Sequence, residues 1–483
     1  MASSAESGVR PSRSGLGRVP RILTARFAPS HSLAALSARP SRTSTRTGLR
    51  LARKRLDHEA HRPRSTGHGL TVVAICLLTI VCDGYDLIVY GSVLPSLLTE
   101  PGWGIGPAEA GVIGSYALAG MLFGALGAGA ITDVVGRRKI VLVGIVWFSV
   151  AMGLCALAPS AGVLGFFRFL AGLGLGGVLP SAIALTVEYA PRGRRQLYNA
   201  LMFAGYSVGG VLAAVLALTL VAEQGWRVMF WIGVAPLVLV LPLAMVYLPE
   251  SAGYLLARGR RAEAEELAAR YGVALDEPPA ERAGPRVLFT PTYRTATLLF
   301  GAASFCGLLL VYGLNTWLPQ IMRQAGYPLG SALQFLLVLN LGAVVGAVGA
   351  SALADRFGPK PVTAAAFLAA TGCLLLLSLR LDTAVLLLAV AVAGLGSVGT
   401  QILVNGYVAV HYPAAIRATA LGWALGVGRA GAIVGPLFGG WVAATGLGFE
   451  WNFYGFALPA LAGVLLVALV PRVPARAAEK AEV

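Results

Sequence analysis

The chain has 483 residues, of which 57% are hydrophobic and 12% are charged, whereas a soluble globular domain has roughly 25% charged residues. This composition excludes a water-soluble protein and predicts a polytopic membrane protein. The formal net charge of +16 would suit a nucleic-acid partner, but most of the excess lies in the first 69 residues, so we expect none.

Residues 1–69 are rich in Ser, Arg, Ala and Pro and contain only Glu6, Asp57 and Glu59 as acids. This composition predicts a disordered basic cytoplasmic tail, since too little apolar surface is available for a core. The first 50 residues would also suit a transit peptide or attraction to anionic lipid, and a misassigned start codon would give a similar tail.

Apolar runs of about 20 residues predict an all-α protein with twelve transmembrane helices. We place an N-terminal six-helix half at 70–248, a cytoplasmic linker at 249–294, a C-terminal half at 295–470 and a tail at 471–483. The predicted helices are 70–98, 108–132, 140–157, 161–186, 197–222, 228–248, 295–318, 331–353, 362–379, 383–408, 418–443 and 453–470.

The Lys and Arg residues fix the orientation of these helices. The loops on one side hold only Arg227, Arg323 and Arg380, and Arg168 and Arg429 fall inside helices. All the other basic residues lie in the alternate loops and the termini. The positive-inside rule therefore predicts a plasma-membrane protein with both termini in the cytoplasm.

The first helix contains two acids, Asp83 and Asp86, in the segment Asp83-Gly84-Tyr85-Asp86. An acid near the bilayer centre costs roughly 2.5–3.5 kcal/mol, so its presence indicates a function. Residues three apart share a helix face, and both carboxyls can face the bundle interior. We predict a proton or substrate pathway, with helix-to-helix hydrogen bonding as the alternative.

The loop after the second helix contains Gly129, Asp133, Gly136 and Arg137. A loop of similar pattern after the eighth helix contains Asp355 and Arg356. The recurrence predicts an internal duplication, and two six-helix halves enclosing a midplane site are typical of major facilitator transporters.

Both loops resemble the signature loop of the major facilitator superfamily. The resemblance covers residues 70–470 and implies that the residues of these loops, with Glu188 at the cytoplasmic end of the fourth helix, act in gating. Ordinary basic loops with a tight turn are the alternative.

Arg168 precedes Gly172, Gly174, Gly176 and Gly177 in the fourth helix, and these glycines allow close helix packing. The segment resembles the superfamily motif in which an Arg is tied to proton transfer. The alternative is an Arg permanently paired with a buried acid.

Asp83-Gly84-Tyr85-Asp86, together with Gly426-Val427-Gly428-Arg429-Ala430-Gly431, resembles the aromatic acid/proton symporter family. The resemblance implies import of a benzoate, hydroxybenzoate, protocatechuate or gentisate with protons. It implies proton coupling by the residues Asp83, Asp86 and Arg168. An aromatic carboxylate needs a cation and a flat apolar slot, for which we select the residues Arg429, Tyr85, Tyr206, Tyr312, Asn315 and Trp423.

Each selected residue also has a structural interpretation. Arg429 could be a structural ion-pair partner, and the aromatic residues could pack or face lipid. The amides Asn315, Gln320, Asn340 and Asn405 could bind a ring hydroxyl or bridge helices.

Other functions of the same fold remain open, namely transport of nicotinate, a sugar or another organic acid, and drug/proton antiport. The fifth helix reads Gly205-Tyr206-Ser207-Val208-Gly209 without the Pro expected of an antiporter. No clustered catalytic or metal-binding residues are apparent. We therefore expect a monomeric non-enzyme without cofactor or metal, whose partners are its substrate, protons and the lipid bilayer.

Overall fold

The computed structural model describes residues 67–471 apart from 192–193, 274 and 276–283. Of the predicted tails 1–69 and 471–483, residues 67–69 belong to the first helix and not to a disordered tail, whereas residues 1–66 and 472–483 lie outside this range. Within it, twelve helices are long and apolar enough to cross a membrane, which confirms the predicted all-α polytopic fold. They are α1 Gly67–Leu97, α2 Pro107–Val135, α3 Arg137–Ala156, α4 Ala161–Tyr189, α5 Arg195–Gln224, α6 Arg227–Tyr247, α7 Arg294–Gln324, α8 Leu329–Phe357, α9 Pro359–Leu377, α10 Thr383–His411, α11 Ala414–Ala444 and α12 Glu450–Leu469.

Two of these helices are irregular, although the sequence predicted each as continuous. In α6 the helix ends at Ile232 and begins again at Pro236, because proline lacks an N–H and its ring clashes with the carbonyl four residues earlier. In α10 the segment Leu395–Gly399 forms a π-turn. Such turns are rare overall, but many of those that occur lie at functional sites.

The linker contains two short helices, Ala252–Ala257 and Arg261–Tyr271. The second is rich in Glu and Arg, and most of its residues are exposed.

Single glycines join α2 to α3 and α8 to α9. Gly136 has φ 101° and Gly358 has φ 89°, a backbone region in which side chains are strained. The chain therefore turns sharply at the same place in both halves, as the repeated loop pattern predicted.

Glycines also bring helices within each half into backbone contact. Gly84 of α1 lies against the Tyr206 carbonyl of α5, and Gly209 of α5 lies against the Val81 carbonyl of α1. A β-carbon at either glycine would collide with that oxygen. Gly172 of α4 packs in the same way on the Ala117 carbonyl of α2, so the small residues of the sequence set the spacing of the helices.

The two halves meet at one side of the membrane. We name the side where α1 begins and α2 ends the basic face, and the other side the opposite face. Near the opposite face, Gly91 of α1 lies against the Asn315 carbonyl of α7, and Gly111 of α2 against the Pro436 carbonyl of α11. Nearer the basic face, a β-carbon added at Gly129 of α2 or Gly426 of α11 would meet open space. The cleft between the halves therefore opens at the basic face.

At the opposite face, Glu100 joins the α1–α2 loop to the start of α6. Its carboxylate accepts hydrogen bonds from Arg227 Nη1 at 2.7 Å and Trp226 Nε1 at 2.8 Å, and the Trp226 ring packs edge-on against Trp103. Partial burial raises the pKa of Glu100, but the two hydrogen bonds and the charge of Arg227 outweigh it, so the net pKa is lowered. The loop is thus held most firmly while Glu100 is ionised.

Replacing Gly209 with Val should destabilise the α1–α5 contact, because a buried side chain forced against a backbone carbonyl costs about 1–3 kcal/mol. The melting temperature of the detergent-purified protein measures the effect. Gly127→Val is the matched control, since a β-carbon there meets nothing within 4 Å. Equal melting temperatures for the two variants would contradict the packing argument.

Acidification should release the Glu100 contact. Because the pKa of Glu100 in the folded protein lies below its ordinary value of 4.5, the ionised carboxylate stabilises the loop at pH values above 4.5. This contribution to stability is lost as the pH falls through the folded-state pKa. Tryptophan fluorescence should therefore change below about pH 4.5, and Glu100→Gln should remove that transition. Identical titrations of the parent and the variant would refute it.

Candidate functional site

Asp86 of α1 and Arg168 of α4 form an ion pair inside the N-terminal half. Arg168 Nη1 donates to Asp86 Oδ1 at 2.7 Å, and Nη2 donates to the Asp86 carbonyl at 3.0 Å. Both side chains are 1% exposed. A second contact of Nη1, to Met152 Sδ at 3.7 Å, ties the guanidinium to α3. Arg168 therefore has the buried acidic partner that the sequence left unidentified.

Asp83, one turn earlier on α1, has a different environment. It is 3% exposed, its Oδ1 is buried without a hydrogen-bond partner, and it makes no ion pair within the described residues. Its strongest charged neighbours are Arg429 of α11 and Asp86. The two aspartates, which the sequence grouped together, are thus a paired carboxylate and an unpaired one.

Arg429 lies across the cleft on α11, half-buried. Its Nη1 is 4.0 Å from Met121 Sδ on α2, and it interacts electrostatically with Asp83 and with Tyr312 of α7. Among the described residues it forms no ion pair with a carboxylate. Without a carboxylate partner among the described residues, a guanidinium at this depth can still form charge-assisted hydrogen bonds to a carboxylate ligand.

Two tyrosines complete this cluster. Tyr206 of α5 and Tyr312 of α7 pack edge to face, with ring centroids 6.1 Å apart. The Tyr206 hydroxyl is buried and has no hydrogen-bond partner among the described residues. We name Asp83, Tyr206, Tyr312 and Arg429 the central cluster; it draws its members from both halves.

The other residues selected as substrate ligands lie outside the central cluster. Tyr85 donates to the Met229 carbonyl of α6 at 2.7 Å. Trp423 donates to the Thr297 carbonyl at 3.1 Å, near the basic end of α7. Asn315 accepts from Asn340 Nδ2 at 3.0 Å and bridges α7 to α8. Each of them has a structural partner.

The residues selected for gating differ between the two loops. In the first, Arg137 donates to Glu188 Oε2 at 3.4 Å and to Ser251 Oγ at 3.1 Å, and Gly136 lies against the Glu250 carboxylate. In the described part of the chain, Asp133 is exposed and has neither an ion pair nor a hydrogen-bond partner. Asp355 and Arg356 in the second loop are exposed as well, and Gly129 faces open space.

The sequence analysis missed two members of this basic-face network. Glu250 Oε1 accepts the backbone N–H of Arg138 at 3.0 Å, and Ser251 caps the short helix Ala252–Ala257. Both residues belong to the segment Pro249-Glu250-Ser251, which directly follows the sixth helix. A capping Ser before a helix was the signal that could have identified this role.

The described residues contain no group of three or more His, Cys, Asp or Glu placed to hold a metal ion. The chemistry that the central cluster offers is therefore that of one cation, one carboxyl and two phenols. Such a set can bind an anion with an aromatic body and exchange a proton beside it.

Known proteins of one superfamily match most of this chain. A profile of the Major Facilitator Superfamily matches residues 76–429 and 341–483. The benzoate transport protein of Acinetobacter baylyi is 39% identical over 83% of this chain and 89% of its own length. The gentisate transporter of Corynebacterium glutamicum is 43% identical over 84% and 88%. The gallate transporter of Pseudomonas putida is 35% identical over 82% and 90%.

Solved structures give the same fold. The crystal structure of a D-xylose–proton symporter matches with a TM-score of 0.67 at 17% identity, over 84% of this chain and 98% of that one. A xylose transporter of Escherichia coli in a partially occluded inward-open conformation matches with a TM-score of 0.64, also at 17% identity, over 84% and 100%. These matches confirm the predicted arrangement of two six-helix halves.

Replacing Asp83 or Asp86 with Asn should change the melting temperature by different amounts. Asp86→Asn leaves Arg168 as a buried unpaired charge, which costs about 3–5 kcal/mol, so we expect a large fall in melting temperature or no folded protein. Asp83→Asn removes no ion pair and should change the melting temperature little. A greater loss of stability from Asp83→Asn than from Asp86→Asn would contradict this assignment.

Proposed function

Because the chain belongs to the Major Facilitator Superfamily, we propose that it imports an aromatic carboxylic acid together with protons by alternating access. The observation that carries the proposal is Arg429, a membrane-embedded guanidinium that has no carboxylate partner in the described part of the chain. Relatives named as benzoate, gentisate and gallate transporters support an aromatic acid of this kind.

The substrate carboxylate binds Arg429. Guanidinium and carboxylate form two parallel, charge-assisted hydrogen bonds, and a buried pair of this kind offsets the cost of bringing the substrate's charge into the membrane. Tyr206 and Tyr312 offer ring edges and faces beside it, which suits a flat aromatic body.

The coupled proton binds Asp83. This carboxyl has a buried oxygen without a partner and lies within the field of Arg429. Protonation of Asp83 and neutralisation of Arg429 by the substrate together remove both charges from the cavity. The halves then rock without carrying an uncompensated charge through the bilayer.

The other selected residues support this centre. The ion pair of Asp86 and Arg168 holds α1 against α4 and so positions Asp83. Tyr85 joins α1 to α6 and Asn315 joins α7 to α8 through their hydrogen bonds, while Trp423 joins the basic ends of α7 and α11.

The basic face is the cytoplasmic face of the plasma membrane, in line with the positive-inside rule. There Gly129, Asp133 and Gly136 of the first loop and Asp355 and Arg356 of the second act as gates when the cleft closes. Arg137 and Glu188 keep the first loop in place. The transporter works as a monomer and needs no cofactor.

Uptake of labelled benzoate, hydroxybenzoates, gentisate, nicotinate and xylose by cells producing the chain, with and without a protonophore, tests the proposal. We expect protonophore-sensitive accumulation of an aromatic acid. Accumulation of xylose alone, or of no aromatic acid when the chain is present in the membrane, would refute the proposed substrate class.

Variants of the central cluster sharpen the test. Arg429→Gln should lower kcat/KM for the acid at least about thirtyfold, since truncating one partner of a buried charge pair costs 2–5 kcal/mol or more. Arg429→Lys keeps the positive charge but not the two parallel N–H donors, so its kcat/KM should lie between those of the parent protein and Arg429→Gln.

Asp83→Asn should abolish accumulation of the acid yet retain exchange of internal for external acid. Uphill accumulation by Asp83→Asn would exclude Asp83 as the proton carrier.

A further inference from the structure

A second polar cluster lies in the C-terminal half, and the proposed transport cycle does not use it. Gln401 of α10 donates through Nε2 to Ser304 Oγ of α7 at 2.9 Å and to Asn405 Oδ1 at 3.2 Å. Gln401 is 8% exposed, and its Oε1 is buried without a hydrogen-bond partner among the described residues. An acceptor left unpaired inside a protein is costly, which makes it a candidate for a ligand's donor.

The cluster lies beside the helix segment that carries Arg429. A β-carbon at Gly428, the residue before Arg429, would meet Ser304 Oγ, so Ser304 is level with the backbone of Arg429. The Arg429 side chain interacts with Tyr312, about 12 Å further along α7 by helical rise. The polar cluster and the guanidinium are thus two points on the same wall of the cleft.

The polar cluster is accessible at Asn405. Asn405 is half-buried, and its Nδ2 makes no hydrogen bond to a described residue. The neighbouring Gly406 is exposed, with open space where a side chain would be. The π-turn Leu395–Gly399 ends two residues before Gln401 and interrupts the regular rotation of α10 there. The turn therefore sets the direction in which Gln401 and Asn405 point.

We propose that Gln401 and Asn405 recognise a ring hydroxyl of the aromatic acid that Arg429 holds, so that the transporter prefers hydroxylated benzoates to benzoate itself. This inference rests on the proposed function. A phenol donates its proton to Gln401 Oε1 and accepts from Asn405 Nδ2, using both free groups. Benzoate would leave them unpaired, and a site built for a hydroxyl discriminates strongly against an analogue that lacks it.

The experiment compares kcat/KM for 3- or 4-hydroxybenzoate with that for benzoate, in proteoliposomes holding equal amounts of each variant. Gln401→Leu should lower the hydroxybenzoate-to-benzoate ratio about two- to twelvefold, the factor expected from one lost hydrogen bond. Gly307→Ala displaces the same oxygen without removing it, since the added β-carbon would lie 2.9 Å from Gln401 Oε1, and it should lower the ratio as well.

Asn452→Leu is the matched control. Asn452 is 2% exposed and also has a buried oxygen without a partner, but it lies at the opposite-face end of α12. The ratio should therefore be unchanged in this variant. If Gln401→Leu does not insert into the membrane, Gly307→Ala and Asn405→Ala decide the question by the same ratio.

Equal loss of both activities in the Gln401 and Gly307 variants, or an unchanged ratio, would overturn the inference and leave a structural role for the polar cluster. A parent protein that carries benzoate in preference to both hydroxybenzoates would also overturn it, while the proposed function stood. A parent protein that carries no aromatic acid would instead refute the proposed function.

Discussion

The ion pair between Asp86 and Arg168 is the interaction on which the N-terminal half depends. A bilayer interior offers no water to either charge, so each would be strongly disfavoured alone. Placed together at 2.7 Å and almost wholly buried, they fix α1 against α4, with Met152 of α3 alongside. Together with the glycine contacts to α5 and the hydrogen bond of Tyr85, this attachment positions α1, the helix that carries Asp83.

The central cluster has the opposite character. Arg429 and Asp83 face each other across the cleft without forming an ion pair, and the Tyr206 hydroxyl beside them lacks a partner. The fold thus pairs one buried charge closely and leaves the charges of Asp83 and Arg429 without an ion pair among the described residues. The two centres are separated by one helical turn of α1, so in the proposed cycle a ligand at the central cluster binds beside a firmly held part of that helix.

The sequence could predict the helices and much of the central cluster, because both depend on local pattern. Apolar runs located twelve spans, the repeated loop located the turns at Gly136 and Gly358, and the isolated charges singled out Asp83, Asp86, Arg168 and Arg429. Spacing alone could not tell which aspartate Arg168 binds, since that depends on how α1 and α4 are rotated.

The same limit applies to side-chain direction. Tyr85 and Trp423 are suitable residue types for a ring slot, but packing directs them to backbone carbonyls of α6 and α7. The π-turn of α10 left no clear mark in its apolar, glycine-rich sequence. Gln401 was therefore not singled out, although it is a buried amide with an unpaired oxygen whose partner Ser304 lies against Gly428, the residue before Arg429.

The glycine contacts at the opposite face have a consequence for the rate of the transport cycle. Gly91 and Gly111 meet backbone carbonyls of the other half, and the ion pairs that join described residues lie within the N-terminal half or the linker. These glycine contacts between the halves are therefore not ion pairs, and dispersion contributes about 0.1–0.2 kcal/mol per atom pair to them. In the proposed transport cycle the opposite face opens without breaking an ion pair between described residues, and because salt screens charges rather than dispersion, ionic strength has little effect on that step.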